Sequence, residues 1–139
     1  MGEYSDPMQM YFELKTLLRA ILESKFNNES YDKEILGSET VAAFANRIVD
    51  DLDQLHGELF KDFGKPNRSW LRLNSIDNRI YETALRKVVD QETKSNDRFW
   101  LTATTHELET FTRTIFAPYT VSDEIIDKFI DAVRESIRD

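Results

Sequence analysis

The sequence predicts an all-α fold, a single irregular bundle of about five helices spanning residues 1–139. Three observations carry that expectation. Apolar residues recur at three- and four-residue spacing over long stretches, the pattern of a helix with one buried face. Only 4 glycines and 3 prolines are present, so interruptions are few and readable. Side chains suited to helix caps stand at the start of most periodic stretches.

The first helix is expected over residues 7–26. Asp6 reads as the N-cap and Pro7 as the first helical residue. Met10, Tyr11, Leu14, Leu17, Leu18, Ile21 and Leu22 follow at helical spacing, and Asn27-Asn28-Glu29-Ser30 ends the run. Ser38 caps the second helix, which keeps one broad apolar face from Val41 through Phe44, Ile48, Leu52, Leu55 and Leu59 to Phe63. Gly57 lies inside it as a site for a break or bend, and Gly64 with Pro66 forms the stop signal.

A third helix opens at Ser75 or Asp77 and carries Ile76, Ile80, Tyr81, Ala84, Leu85, Val88 and Val89. Thr104 and Glu107 form a capping box before Leu108, Phe111, Ile115 and Phe116, and Pro118 stops that helix. Ser122 caps the last helix, with Val121 and Ile126 spaced as a hydrophobic staple. Arg68-Ser69-Trp70-Leu71 is echoed by Arg98-Phe99-Trp100-Leu101. The echo reads as two short strands side by side near 68–74 and 98–104, as a repeated helical entry segment, or as coincidence.

Composition closes several functional classes. The chain has 139 residues and no cysteine, which excludes disulfides, thiolate metal sites and cysteine nucleophiles. No apolar run approaches the ~18 residues of a membrane span. The acidic N-terminal run lacks the apolar stretch of a signal peptide. A soluble cytoplasmic protein, without membrane association and either monomeric or homodimeric, is the expectation. No Gly-rich phosphate loop, nucleophile elbow or calcium loop is present, so no catalytic residue is assigned.

Charge is unevenly placed. Of the net −8, residues 1–64 hold 13 acidic against 6 basic side chains, whereas 65–98 hold 8 basic against 5 acidic. Asp50, Asp51, Asp53, Glu58 and Asp62 lie outside the apolar face of the second helix, and are the expected partner-binding residues. Such a surface speeds encounter with a basic protein and disfavours duplex nucleic acid. Small inhibitors and toxin-neutralising immunity proteins are similar in size and charge; a regulatory subunit fits the same surface.

The alternative reading is enzymatic. Glu124, Asp127 and Asp131 share one face of the last helix, and Asp50 and Asp53 one face of the second. Brought together, these carboxylates would suit magnesium, with Arg79 or Arg86 holding phosphate. This spacing resembles the paired acidic motifs of all-α nucleotide pyrophosphatases, without that family's Glu-Glu-x-x-Glu element. His56 lies three residues after Asp53, a spacing used in helical di-metal sites, but His106 follows Ala103 and supplies no second pair. His56 packing beside the apolar face is the plainer expectation.

Leu17-Leu18 through Phe26, Ile35-Leu36-Gly37 and Ala43-Phe44-Ala45-Asn46-Arg47-Ile48 resemble the opening of mannitol-operon-repressor-like helical regulators. The resemblance covers about a quarter of the chain. The later Arg-Asn and His element of such regulators is absent, so no functional residue is carried over.

Overall fold

A computed structural model describes residues 6–27, 35–60, 72–73, 78–94 and 98–138. Among these residues the architecture is all-α. Helix α1 (Pro7–Phe26) begins where the Asp6 carboxylate accepts the Met8 N–H at 3.0 Å. Helix α2 (Glu39–Leu59) begins where the Ser38 hydroxyl accepts the Val41 N–H at 3.2 Å. It continues through Gly57 without a break. The Phe60 N–H reaches the His56 carbonyl at 2.8 Å across that glycine. Residues 61–64, where the periodicity suggests a longer helix, lie outside the described residues.

Helix α3 (Arg79–Lys94) is capped by Asn78, whose side-chain oxygen accepts the Ile80 N–H at 2.7 Å. This corrects the expected cap at Ser75 or Asp77. Asn is as good an N-cap as Asp or Ser, and it stands directly before the first helical turn.

The segment at 98–104 is not a strand. Residues Phe99–Thr102 form a single turn, α4, a sixth helix that the periodicity does not resolve. Its backbone donors are used locally: the Leu101 and Thr102 N–H groups both reach the Arg98 carbonyl, at 2.9 and 3.0 Å. None of these remains for a ladder. The two-stranded element instead joins β1 (Arg72–Leu73) to β2 (Thr120–Val121) in parallel, with Arg72 opposite Thr120 and Leu73 opposite Val121. The first copy of the echoed segment, 68–71, lies outside the described residues.

Helix α5 (Thr105–Phe116) carries the expected capping box. Thr104 N–H donates to Glu107 Oε1 at 3.0 Å, and Glu107 N–H donates to Thr104 Oγ at 3.1 Å. The helix ends at Ala117, before Pro118. Helix α6 (Asp123–Ile137) is capped by Ser122, whose hydroxyl accepts the Ile125 N–H at 3.2 Å. Arg134 on α6 reaches across to donate to the Trp100 carbonyl at 2.8 Å, which ties α6 to α4.

Two hydrophobic clusters organise the packing. The smaller lies between α1 and α2 and is built on Tyr11, Leu18, Ile48, Val49, Leu52 and Leu55. The larger gathers α3 to α6 around Tyr81, Trp100, Leu108, Ile115, Phe116 and Phe129, and takes in Phe26 and Leu36. Leu22 and Tyr119 pack against both clusters, so they mark the seam. No helix among the described residues is long and apolar enough to cross a membrane.

Candidate functional site

The acidic residues expected to bind a partner are spread along α2. Asp50 and Glu58 are exposed, Asp51 and Asp53 are half-buried, and Asp62 lies outside the described residues. Asp50 and Asp53 already have interaction partners. These side chains form a field rather than a pocket.

The carboxylates considered for magnesium do not converge. Helix α2 packs chiefly on α1, and α6 packs on α3, α5 and α4. Glu124 pairs instead with Lys128 on its own helix at 3.0 Å, and Asp127 and Asp131 are exposed. Among the described residues no three Asp, Glu or His side chains are placed to hold a metal ion. Arg79 and Arg86 are both exposed on α3, and Arg79 lines a cavity. His56 tilts against Phe60, with ring centroids 5.3 Å apart. Neither of its nitrogens is hydrogen-bonded, so the ring packs rather than pairing with Asp53.

The site the fold does form is a groove of about 640 Å³. Its walls come from the start of α2, the end of α3, α4 and the outer face of α5. Three rings set the floor. Phe99 meets Phe111 edge-on at 5.5 Å, Trp100 meets Phe111 at 5.8 Å, and Phe99 meets Trp100 at 6.1 Å. The two contacts of Phe99 are edge-to-face, a favoured arrangement for aromatic pairs, and the Trp100–Phe111 contact is tilted. Leu36, Val88 and Ile115 complete the apolar surface.

Gly37 makes the groove wall possible. A Cβ at that position would stand 2.9 Å from Phe111 Cζ and 3.1 Å from Cε1. Only a residue without a side chain lets this backbone lie against the Phe111 ring.

The rim is acidic. Glu39, Glu92 and Glu107 line the groove with His106, and no lysine or arginine among the described residues does. Glu39 stands in the first turn of α2. Glu107 is held by the capping box, and the hydrogen bonds from Thr104 lower its pKa below the ordinary carboxylate value. The capping box pins this carboxylate in place at the rim.

The rim and floor were only partly visible in the sequence. Leu108, Phe111, Ile115 and Phe116 read as one apolar face, yet only Phe111 and Ile115 line the groove. The exposed side of Phe111 and the approach of Gly37 depend on packing between distant segments.

The fold and the site together define a class by shape, an all-α bundle with an acid-rimmed aromatic groove. Comparison with protein-family models, curated proteins and solved structures gives no match, and the resemblance of residues 17–48 to operon regulators gains no support from them.

Proposed function

We propose that this protein acts by binding a basic segment of a partner protein in the groove between α3, α4 and α5. The observation that carries this reading is the pairing of an apolar, ring-built floor with a rim of three carboxylates and no lysine or arginine among the described residues. Such a groove suits an aliphatic or aromatic anchor flanked by lysine or arginine. The anchor supplies affinity by leaving water, and the flanking cations supply orientation and encounter rate. The acidic residues of α2 add to the negative charge that a basic partner meets on approach. An inhibitor and a regulatory subunit would both act this way.

The test uses two peptide sets, each with a single Phe or Leu anchor, flanked by Lys and Arg in one set and by Glu in the other. The basic set is expected to bind, more weakly as salt rises. Thr110→Trp, which fills the groove from the exposed face of α5, is expected to abolish binding without unfolding the chain. Equal binding of both sets, or basic-set binding unaffected by Thr110→Trp, would overturn the proposal.

A further inference from the structure

A second cleft, of about 590 Å³, opens at the seam between the two hydrophobic clusters. Its chemistry is opposite to that of the groove. Arg19 from α1 and Arg79 from the first turn of α3 line it together. Both are exposed, and neither has a hydrogen-bond or ion-pair partner among the described residues. Arg19 does not pair with Glu23 one turn on, which instead accepts the Asn27 side-chain amide at 2.9 Å. A basic residue placed before the acidic one is the weaker order for such a pair.

Thr83 provides an independent observation. It is 2% exposed and lines the cleft. The helical threonines 16, 93, 102, 112 and 114 each donate to the carbonyl four residues back. Thr83 makes no such bond, and its hydroxyl has no other partner among the described residues. The Thr83 hydroxyl is therefore free to donate into the cleft that the residue lines, beside the two guanidiniums.

An apolar patch stands beside these groups. Leu22, Ile80 and the edge-on pair Phe26 and Tyr119, 5.4 Å apart, form it, and Asn27 completes the lining. Two guanidiniums against the Glu23 carboxylate leave one positive charge in the cleft.

We infer that this cleft binds a small organic carboxylate, its head between Arg19 and Arg79 and its apolar body against Leu22, Ile80 and Phe26. The guanidinium fork matches a planar carboxylate through parallel hydrogen bonds. The Thr83 hydroxyl donates the third. The single excess charge matches a monoanion, which is how a chain of net charge −8 accommodates an anion at all.

The test is an amide NMR titration with phenylacetate, with acetate as a head-only probe and phenethylammonium as a near-isostere of opposite charge. Phenylacetate is expected to shift the amides of residues 79–83, with acetate weaker and phenethylammonium silent. Arg19→Gln and Arg79→Gln are each expected to weaken binding about tenfold or more, the loss of a charge-assisted hydrogen bond. Thr83→Val, which keeps the side-chain shape, is expected to weaken it severalfold, and Arg86→Gln to leave it unchanged. No response to phenylacetate overturns the inference. So does binding that survives both arginine changes, or acetate binding equally well, since the apolar wall would then have no role.

Discussion

Lys87 on α3 donates its ammonium group to the main-chain carbonyl of Lys25, at 2.9 Å, inside the protein. Lys25 in turn donates to the carbonyl of Thr114 at 3.0 Å and to that of Ala117. Lys25 is 0% exposed and Lys87 5%. The carbonyls concerned lie in the last turn of α1 and at the end of α5, where helices leave acceptors without partners. Each lysine therefore caps the C-terminus of a helix other than its own, and the negative end of the helix dipole suits the cation. The Phe26 ring, 5.4 Å from Lys25 Nζ, adds a cation–π contact. Three helices are tied at one point by two side chains that composition alone assigns to the surface.

This arrangement makes stability depend on pH in an unusual direction. Burial lowers the Lys25 pKa from 10.5 to about 7. Between those values the unfolded chain holds a proton that the folded chain has released. Stability from this residue therefore rises as pH climbs from about 7 towards 10.5, by several kcal/mol at about 1.4 kcal/mol per pH unit. Below about 7 both states are protonated, and the burial penalty stands in full. Urea unfolding of the wild type and Lys25→Met across this range should show the difference between them moving in favour of the wild type as pH rises. A constant difference would mean that Lys25 keeps an ordinary pKa in the fold.

Gly57→Ala should stabilise the protein. The helix runs through this position, and a Cβ would meet nothing within 4 Å. Alanine restricts the unfolded chain and favours the helix by about 0.5–1 kcal/mol. A rise in the urea midpoint at unchanged slope is the expected result.

Gly37→Ala should do the reverse. The added methyl would press on a Phe111 ring already held by Phe99 and Trp100. Overpacking of this kind costs about 1–3 kcal/mol. The same substitution should shift the Phe111 ring resonances, because that ring must move.

Thr104→Ala should remove both halves of the α5 cap, since the Glu107 carboxylate and the Thr104 hydroxyl support each other. A loss of about 1 kcal/mol is expected by thermal or urea unfolding. In the same variant the Glu107 pKa should rise towards its ordinary value, as read by carboxyl NMR titration, because its lowering comes first from hydrogen bonding to Thr104.

Much of the fold was legible residue by residue. Asp6, Ser38, Thr104 and Ser122 were readable as caps, and each caps its helix. The buried lysines were legible in part. Lys25 follows Leu18, Ile21 and Leu22 on the apolar stripe of α1, and Lys87 follows Ile80 and Ala84 on that of α3. A lysine on such a stripe signals either a long side chain reaching outward or a buried cap, and the sequence does not choose between them. The single turn α4 escaped because four residues are too few for a period. The strand pairing escaped because β1 and β2 are separated by α3, α4 and α5.

The starts of α1, α2, α5 and α6 and the apolar faces of the longer helices are written locally in the chain, because caps and periodicity are decided within a turn or two. The sequence by itself also determined the uneven charge, with the first 64 residues strongly acidic. Only the tertiary structure decided what that charge surrounds. It kept the acidic stripes of α2 and α6 apart by packing those helices on different neighbours. It brought Gly37 against Phe111, and Arg19 and Arg79 to one cleft. It buried two lysines whose acceptors lie 62 to 92 residues away in the chain. Side chains that far apart meet only when whole helix faces exclude water together, and no local pattern records which faces those will be.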